Sequence, residues 1–172
     1  MPITVSKTEL DGVLQIIPSV FKDHRGRYIE TYNIDDYAEN GIDIKFVRDD
    51  ISTSVKNVLR GIHYDYKTWK LIQCMYGEIF FVVVNMNEDS DQYLKWQTFK
   101  LNSENRHQIL VPPGFGNAHL VLSDECIFHY KMSEYYDPEN EKGIKWNDPK
   151  LNINWPVDEP ILSEKDTNTK LL

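Results

Sequence analysis

Cysteine is scarce, with two residues in a chain of 172. Two cysteines do not build a disulfide framework, and Cys74 and Cys126 both sit in strand-like apolar stretches, so they are read as buried free thiols. Long apolar runs are missing too. The longest, Ile79 to Val84, is far too short to span a bilayer, and the N-terminal stretch MPITVSKTEL lacks the apolar centre of a secretory signal. A soluble cytoplasmic protein with no membrane partner is expected. Basic residues are outnumbered, 19 Lys and Arg against 27 Asp and Glu, a net charge of −8. That balance argues against nucleic acid as the main partner, because phosphate-backbone binding needs a basic surface. It leaves room for a small phosphorylated ligand, which needs only a few local cations. Internal repeats, low-complexity segments and obvious linkers are also absent, so the whole chain, 1–172, reads as a single domain.

Hydrophobic residues make up 41% and aromatics 12%, enough for a packed core. Short β-rich runs alternate with turn signals, the pattern of an all-β sandwich or barrel. Candidate strands are Val13–Pro18, Arg27–Tyr32, Lys45–Asp50, Val58–Tyr64, Leu71–Val84, Lys95–Leu101, Gln108–Val111, His119–Leu122 and Cys126–Met132. Period-two alternation in RYIETY puts Tyr28, Glu30 and Tyr32 on one face. GEIFFVVV is apolar on both faces and reads as a central strand. Two segments look helical: Ile34–Glu39, capped by Asn33, and a short turn over Ser163–Thr169. From Asn147 the chain is loop-like, and such a tail is ordered only if it packs on the body.

Two stretches carry most of the chemical information. One is Arg60-Gly-Ile-His63-Tyr-Asp65 with Lys70 and Gly77 behind it; the other is Pro112-Pro-Gly-Phe-Gly-Asn117-Ala-His119. They resemble the two motifs of the cupin superfamily, which implies a jelly-roll β-barrel with few short helices. A metal-binding cupin would carry His at 63 and 65, Glu at 70 and His at 117. Here those positions hold His63, Asp65, Lys70 and Asn117. A charged lysine does not ligate a metal and repels one, so no metal is expected. An ammonium in that place keeps one property of a metal, the ability to stabilise an oxyanion.

Across nearly its whole length the chain resembles the nucleotide-4-keto-sugar 3,5-epimerases, typified by the dTDP-4-dehydrorhamnose 3,5-epimerases. Phe21-Lys-Asp-His-Arg25-Gly26 with Glu30 resembles the family's F-x-D-x-R-G…E pattern, and Asn57-Val-Leu-Arg60-Gly-Ile-His63 its R-G-L-H signature. Tyr130-Lys131 with Tyr135-Tyr136, then Trp146-Asn-Asp148-Pro149, Trp155-Pro156 and Leu162-Ser163-Glu-Lys165-Asp166 continue it. The order and spacing of these motifs carry the resemblance. It implies an isomerase without cofactor, acting on a nucleotide-diphosphate 4-keto sugar as a homodimer. The reaction removes a proton beside a ketone, which requires a base on one face, an acid on the other and a cation at the enolate oxygen. The resemblance assigns His63 as base, with Asp166 orienting it, Tyr130 as acid and Lys70 as the cation. Arg25, Glu30, Arg48, Arg60, Asn117 and His119 are the candidate substrate-binding residues. Arginine forks suit a diphosphate. Regular strand alternation puts Arg60 on the face opposite His63, so both reach one site only through a twist, a bulge or a second subunit.

Several positions depart from the family pattern. Its Q-D-N-H-S stretch is Arg48-Asp49-Asp50-Ile51-Ser52 here, Asp65 replaces a Gln, Asn85 an Asp and Asn117 a His. The run His63-Tyr-Asp65-Tyr-Lys-Thr-Trp69-Lys70-Leu, with Gly116-Asn117-Ala-His119, looks more like the branch acting on GDP-linked 4-keto-6-deoxy-heptoses in capsule synthesis. A thymidine-linked hexose is the other substrate expected. Two rival classes are a metal-dependent cupin enzyme, which needs three or four His or Glu ligands, and a non-catalytic sugar-binding cupin. The second has no need of a His–Asp pair opposite a Tyr. Inversion at C3 alone or at both C3 and C5 stays open, because the same base and acid serve either carbon.

Overall fold

The computed structural model describes residues 2–172. Thirteen strands and two short helices follow one another: β1 Ile3–Lys7, β2 Leu14–Pro18, β3 Val20–Asp23, β4 Gly26–Ile29, α1 Ile34–Glu39, β5 Arg48–Val55, β6 Leu59–Tyr64, β7 Lys70–Tyr76, β8 Glu78–Asn85, β9 Trp96–Asn102, β10 Gln108–Val111, β11 Phe115–Val121, β12 Glu125–Met132, β13 Lys142–Gly143 and α2 Glu164–Thr167. A six-stranded sheet runs β1-β2-β10-β7-β12-β5, and a five-stranded sheet runs β13-β6-β11-β8-β9. Their strands pair antiparallel throughout. The two sheets face each other as a jelly-roll barrel, and β3 and β4 stand apart as a hairpin.

Strand alternation builds three apolar layers. Ile79, Phe81 and Val83 of β8 point between the sheets and join Ile72, Val111 and Phe128 in the central core. The intervening Val82 and Val84 face outward, where Leu151 and Trp155 of the tail cover them together with Leu59 and Leu120. That two-sided burial is why GEIFFVVV carries no polar face. On the other sheet, Tyr37 of α1 and Ile42 cover Ile16, Leu71 and Leu110. The tail is therefore ordered by packing. Its end is held where Asp148, itself buried, accepts the Leu172 N–H at 2.7 Å.

Some strand boundaries differ from expectation. Leu71–Val84 is two strands, because Gly77 at φ 78° turns the chain from one sheet into the other. A Cβ there would collide with the Glu125 carbonyl, so glycine is required. Lys45–Asp50 is displaced to Arg48–Val55, which pairs along its whole length with β12. His119–Leu122 starts earlier, at Phe115, directly after the Pro112-Pro113-Gly114 turn. Arg27–Tyr32 ends at Ile29, so Glu30 and Tyr32 do not continue its alternation. Tyr32 leaves the strand to pack on Tyr37 and Phe46, at centroid distances of 4.9 and 5.4 Å. Strands β1, β3 and β13 lie outside the expected strands. Asn33 caps α1 as expected, and Ser163 caps α2 within the expected turn. Cys74 and Cys126 are buried free thiols, and burial pushes the Cys74 thiol up to about 12.

Candidate active site

Between the sheets lies a cavity of about 1100 Å³. Its walls come from β5, β6, β7, β11 and β12, with Asp166 and Lys165 supplied by the tail. Of the ten residues singled out from sequence, eight line it: Arg48, Arg60, His63, Lys70, Asn117, His119, Tyr130 and Asp166.

A β-bulge brings Arg60 and His63 together. His63 pairs with Asn117 and Arg60 with His119, so three steps along β6 match two along β11. The extra residue restores both side chains to the inner face. Gly61 makes this possible. Its φ is 119°, and a Cβ would lie 2.6 Å from the Asn117 carbonyl oxygen and from the Ala118 Cβ. Of the three ways left open for Arg60 and His63 to share a site, a twist, a bulge or a second subunit, the chain uses the bulge.

His63 Nε2 is 2.5 Å from Asp166 Oδ1. Asp166 sits in the first turn of α2, where its N–H donates to Ser163 Oγ at 3.1 Å and the Ser163 hydroxyl returns a bond to Oδ2 at 3.0 Å. Burial works to raise the Asp166 pKa. The bond to His63, the His63 charge, Ser163 and the Gly61 N–H together outweigh burial and hold it below the usual carboxylate range. Asp166 thus stays an anion and fixes the orientation of the imidazole. Ser163 was missed as a site residue, although Ser-x-x-Asp is a helix-start signature legible in the sequence.

Lys70 donates from Nζ to Asn117 Oδ1 at 3.1 Å. Burial lowers its pKa, opposed by Asp65 and Glu141 and assisted by Arg48. Tyr130 on β12 lies opposite Asp50 of β5. Burial raises its phenol, as does Asp50, against the pull of Arg48 and Arg60. Arg48 Nε is 3.0 Å from Asp50 and its guanidinium lies 5.4 Å from the Tyr136 ring centroid. Arg60 donates to Ser54 Oγ at 3.1 Å. No cluster of three or more His, Cys, Asp or Glu side chains able to hold a metal occurs among the described residues. No described helix is long and apolar enough to cross a membrane.

Arg25 and Glu30 are not brought to this cavity within the chain. Arg25 sits on the β3–β4 hairpin, 80% exposed and 2.6 Å from Asp23. Glu30 accepts from Asn33 Nδ2 at 3.4 Å.

The sequence pattern of the dTDP-4-dehydrorhamnose 3,5-epimerases matches residues 7–172. The chain belongs to that family. It is an epimerase-type isomerase, as the names of its relatives agree. A dTDP-4-dehydrorhamnose 3,5-epimerase of Methanothermobacter thermautotrophicus is 46% identical, over 96% of this chain and 92% of that protein. Among solved structures, the Bacillus anthracis dTDP-4-dehydrorhamnose 3,5-epimerase with TDP and PPi bound superposes with a TM-score of 0.96. It is 36% identical, covering 99% of both chains. The Legionella pneumophila enzyme in complex with dTDP-4-keto-L-rhamnose gives a TM-score of 0.94 at 38% identity, covering 98% of this chain and 92% of that one.

Proposed function

We propose that this protein inverts C3, C5 or both of a nucleotide-diphosphate-linked 4-keto-6-deoxy sugar through an enolate. The carrying observation is the His63–Asp166 pair, 2.5 Å apart, in one cavity with Lys70 and Tyr130. Asp166 occupies Nε2 of His63, which leaves Nδ1 as the base. It takes the proton beside the ketone, and the imidazolium that forms is stabilised by the Asp166 anion. The electron pair moves onto the ketone oxygen, where the Lys70 ammonium meets the developing charge. Tyr130, whose raised phenol is protonated at neutral pH, gives a proton to the opposite face. Inversion results when removal and return occur on different faces. Arg48 and Arg60 hold the diphosphate, and Asn117 and His119 meet the sugar.

The thymidine-linked hexose is the better-supported substrate, since the relatives above are named for dTDP sugars. The GDP-heptose reading rests only on the two short motifs around Lys70 and Asn117. We assign the reaction to surface-polysaccharide synthesis on the same resemblance. The exposed apolar residues of the hairpin, Phe21 at 55% and Tyr28 at 67%, support a homodimer in which Arg25 and Glu30 reach the partner's cavity. NMR of the reaction in deuterated water, with thymidine- and GDP-linked 4-keto sugars supplied separately, tests the reading. Deuterium entering C3 or C5 with inversion is expected on the thymidine-linked sugar. Exchange on neither sugar overturns the proposal, and exchange on the GDP sugar alone reverses the nucleotide assignment.

A further inference from the structure

Six buried side-chain nitrogen or oxygen atoms have no hydrogen-bond partner among the described residues. Four of them belong to residues of the one cavity: Nε and Nη1 of Arg48, Oγ of Ser52 and Nε2 of His119. Native interiors rarely leave such atoms unsatisfied without a use. Arg48 at least faces the Asp50 carboxylate. Ser52 and His119 have no such counterpart.

These two residues share one part of the wall. Ser52 lies opposite Phe128 in the pairing of β5 with β12. The His119 ring stacks on Phe128, with centroids 4.0 Å apart and planes 17° from parallel. His119 also pairs with Arg60 across the bulge that sets His63, so this wall adjoins the reacting end of the cavity. We propose that Ser52 and His119 form a neutral hydrogen-bonding wall that reads hydroxyl groups of the substrate's sugar ring. The inference rests on the epimerase reading and adds the feature of the substrate that is selected.

The chemistry fits a hydroxyl better than a charge. Burial holds the His119 imidazole neutral, with a pKa of about 3. It cannot serve as counter-ion to a diphosphate. A neutral imidazole and a serine hydroxyl each match a group that both donates and accepts. Neither competes with Lys70 for the enolate. A site whose buried polar atoms wait for a ligand hydroxyl discriminates strongly against analogues lacking it.

The test is calorimetric binding of three nucleotide 4-keto sugars, the parent and its 2-deoxy and 3-deoxy analogues, to wild type, Ser52→Ala and His119→Phe. Proton exchange on the parent is followed alongside. Each variant is expected to weaken binding of the parent by about 10-fold or more. On the analogue lacking the hydroxyl that residue reads, it should differ from wild type by less than about 2-fold. The ligand-free variants should melt no lower than wild type, because an apolar group replaces an unpartnered polar one. His119→Leu replaces His119→Phe if the phenyl ring does not fit. A variant that binds the parent normally, or that loses equally on all three sugars, overturns the wall. Wild type that binds the parent yet exchanges no proton overturns the epimerase reading and leaves the wall standing.

Discussion

Mild acid should weaken the fold through His119. Its buried imidazole has a pKa of about 3 in the folded chain, against about 6.5 when exposed. Between those values the unfolded chain binds a proton that the folded chain refuses. Stability is therefore full above about pH 6.5 and falls as pH drops toward 3. At pH 5 the unfolded state gains about 2 kcal/mol from this one group. Asp166, held below the usual carboxylate range, acts in the same direction, but only once pH falls through the carboxylate region. Urea unfolding at pH 7 and pH 5, at fixed protein concentration, reads the effect for wild type and His119→Phe. Wild type should lose about 2 kcal/mol more than the variant over that interval. Equal losses would refute the claim that His119 is buried neutral, and with it the reasoning about the cavity wall.

Other expectations follow from the same geometry. His63→Asn removes the base and should lower turnover by about 10³-fold or more, whereas Asp166→Asn, which keeps the imidazole but not its orienting anion, should cost less; steady-state kinetics on folded variants ranks them. Treatment with a chelator should leave turnover unchanged, because Lys70 stands where a metal ligand would be needed. Metal stoichiometric with the protein, whose removal abolished activity, would overturn that role for Lys70. Light scattering at working concentration should give the mass of two chains, and a monomer would refute the role given to Arg25 and Glu30.

Much of this site was legible in the sequence because its chemistry is concentrated in short motifs. Eight of ten chosen residues meet in one cavity, among them Asp166, which lies 103 positions from His63 in sequence. Motif order allowed that pairing to be expected; the apolar tail residues Leu151 and Trp155 are what deliver it physically. Local rules worked where the structure is local, as with the Asn33 cap of α1. They failed where tertiary geometry interrupts a regular element. The corner at Gly77, which splits the expected Leu71–Val84 strand, depends on close approach to the Glu125 carbonyl, which no strand pattern reveals; the bulge at Gly61 was one of the ways left open for Arg60 to join His63. Ser52 was in view as the end of the Arg48–Ser52 stretch but was not chosen as a site residue, because a serine alternating along a strand carries no role until its inward face proves to line the cavity. Arg25 and Glu30 are the reverse case: motif placed them at a site that a single chain does not bring them to.

The central claim is that His63 and Tyr130 work on opposite faces of one enolate. It is tested most directly by NMR of Tyr130→Phe in deuterated water. The phenyl ring keeps the contact with Phe128, now 5.3 Å between centroids, so the fold should survive. The base and Lys70 remain, so the enolate still forms and is reprotonated mostly on its original face. The account predicts substrate that gains deuterium at C3, C5 or both while keeping its configuration, with inversion falling by about 10²-fold or more. Inversion at the wild-type rate would contradict it and reduce Tyr130 to packing.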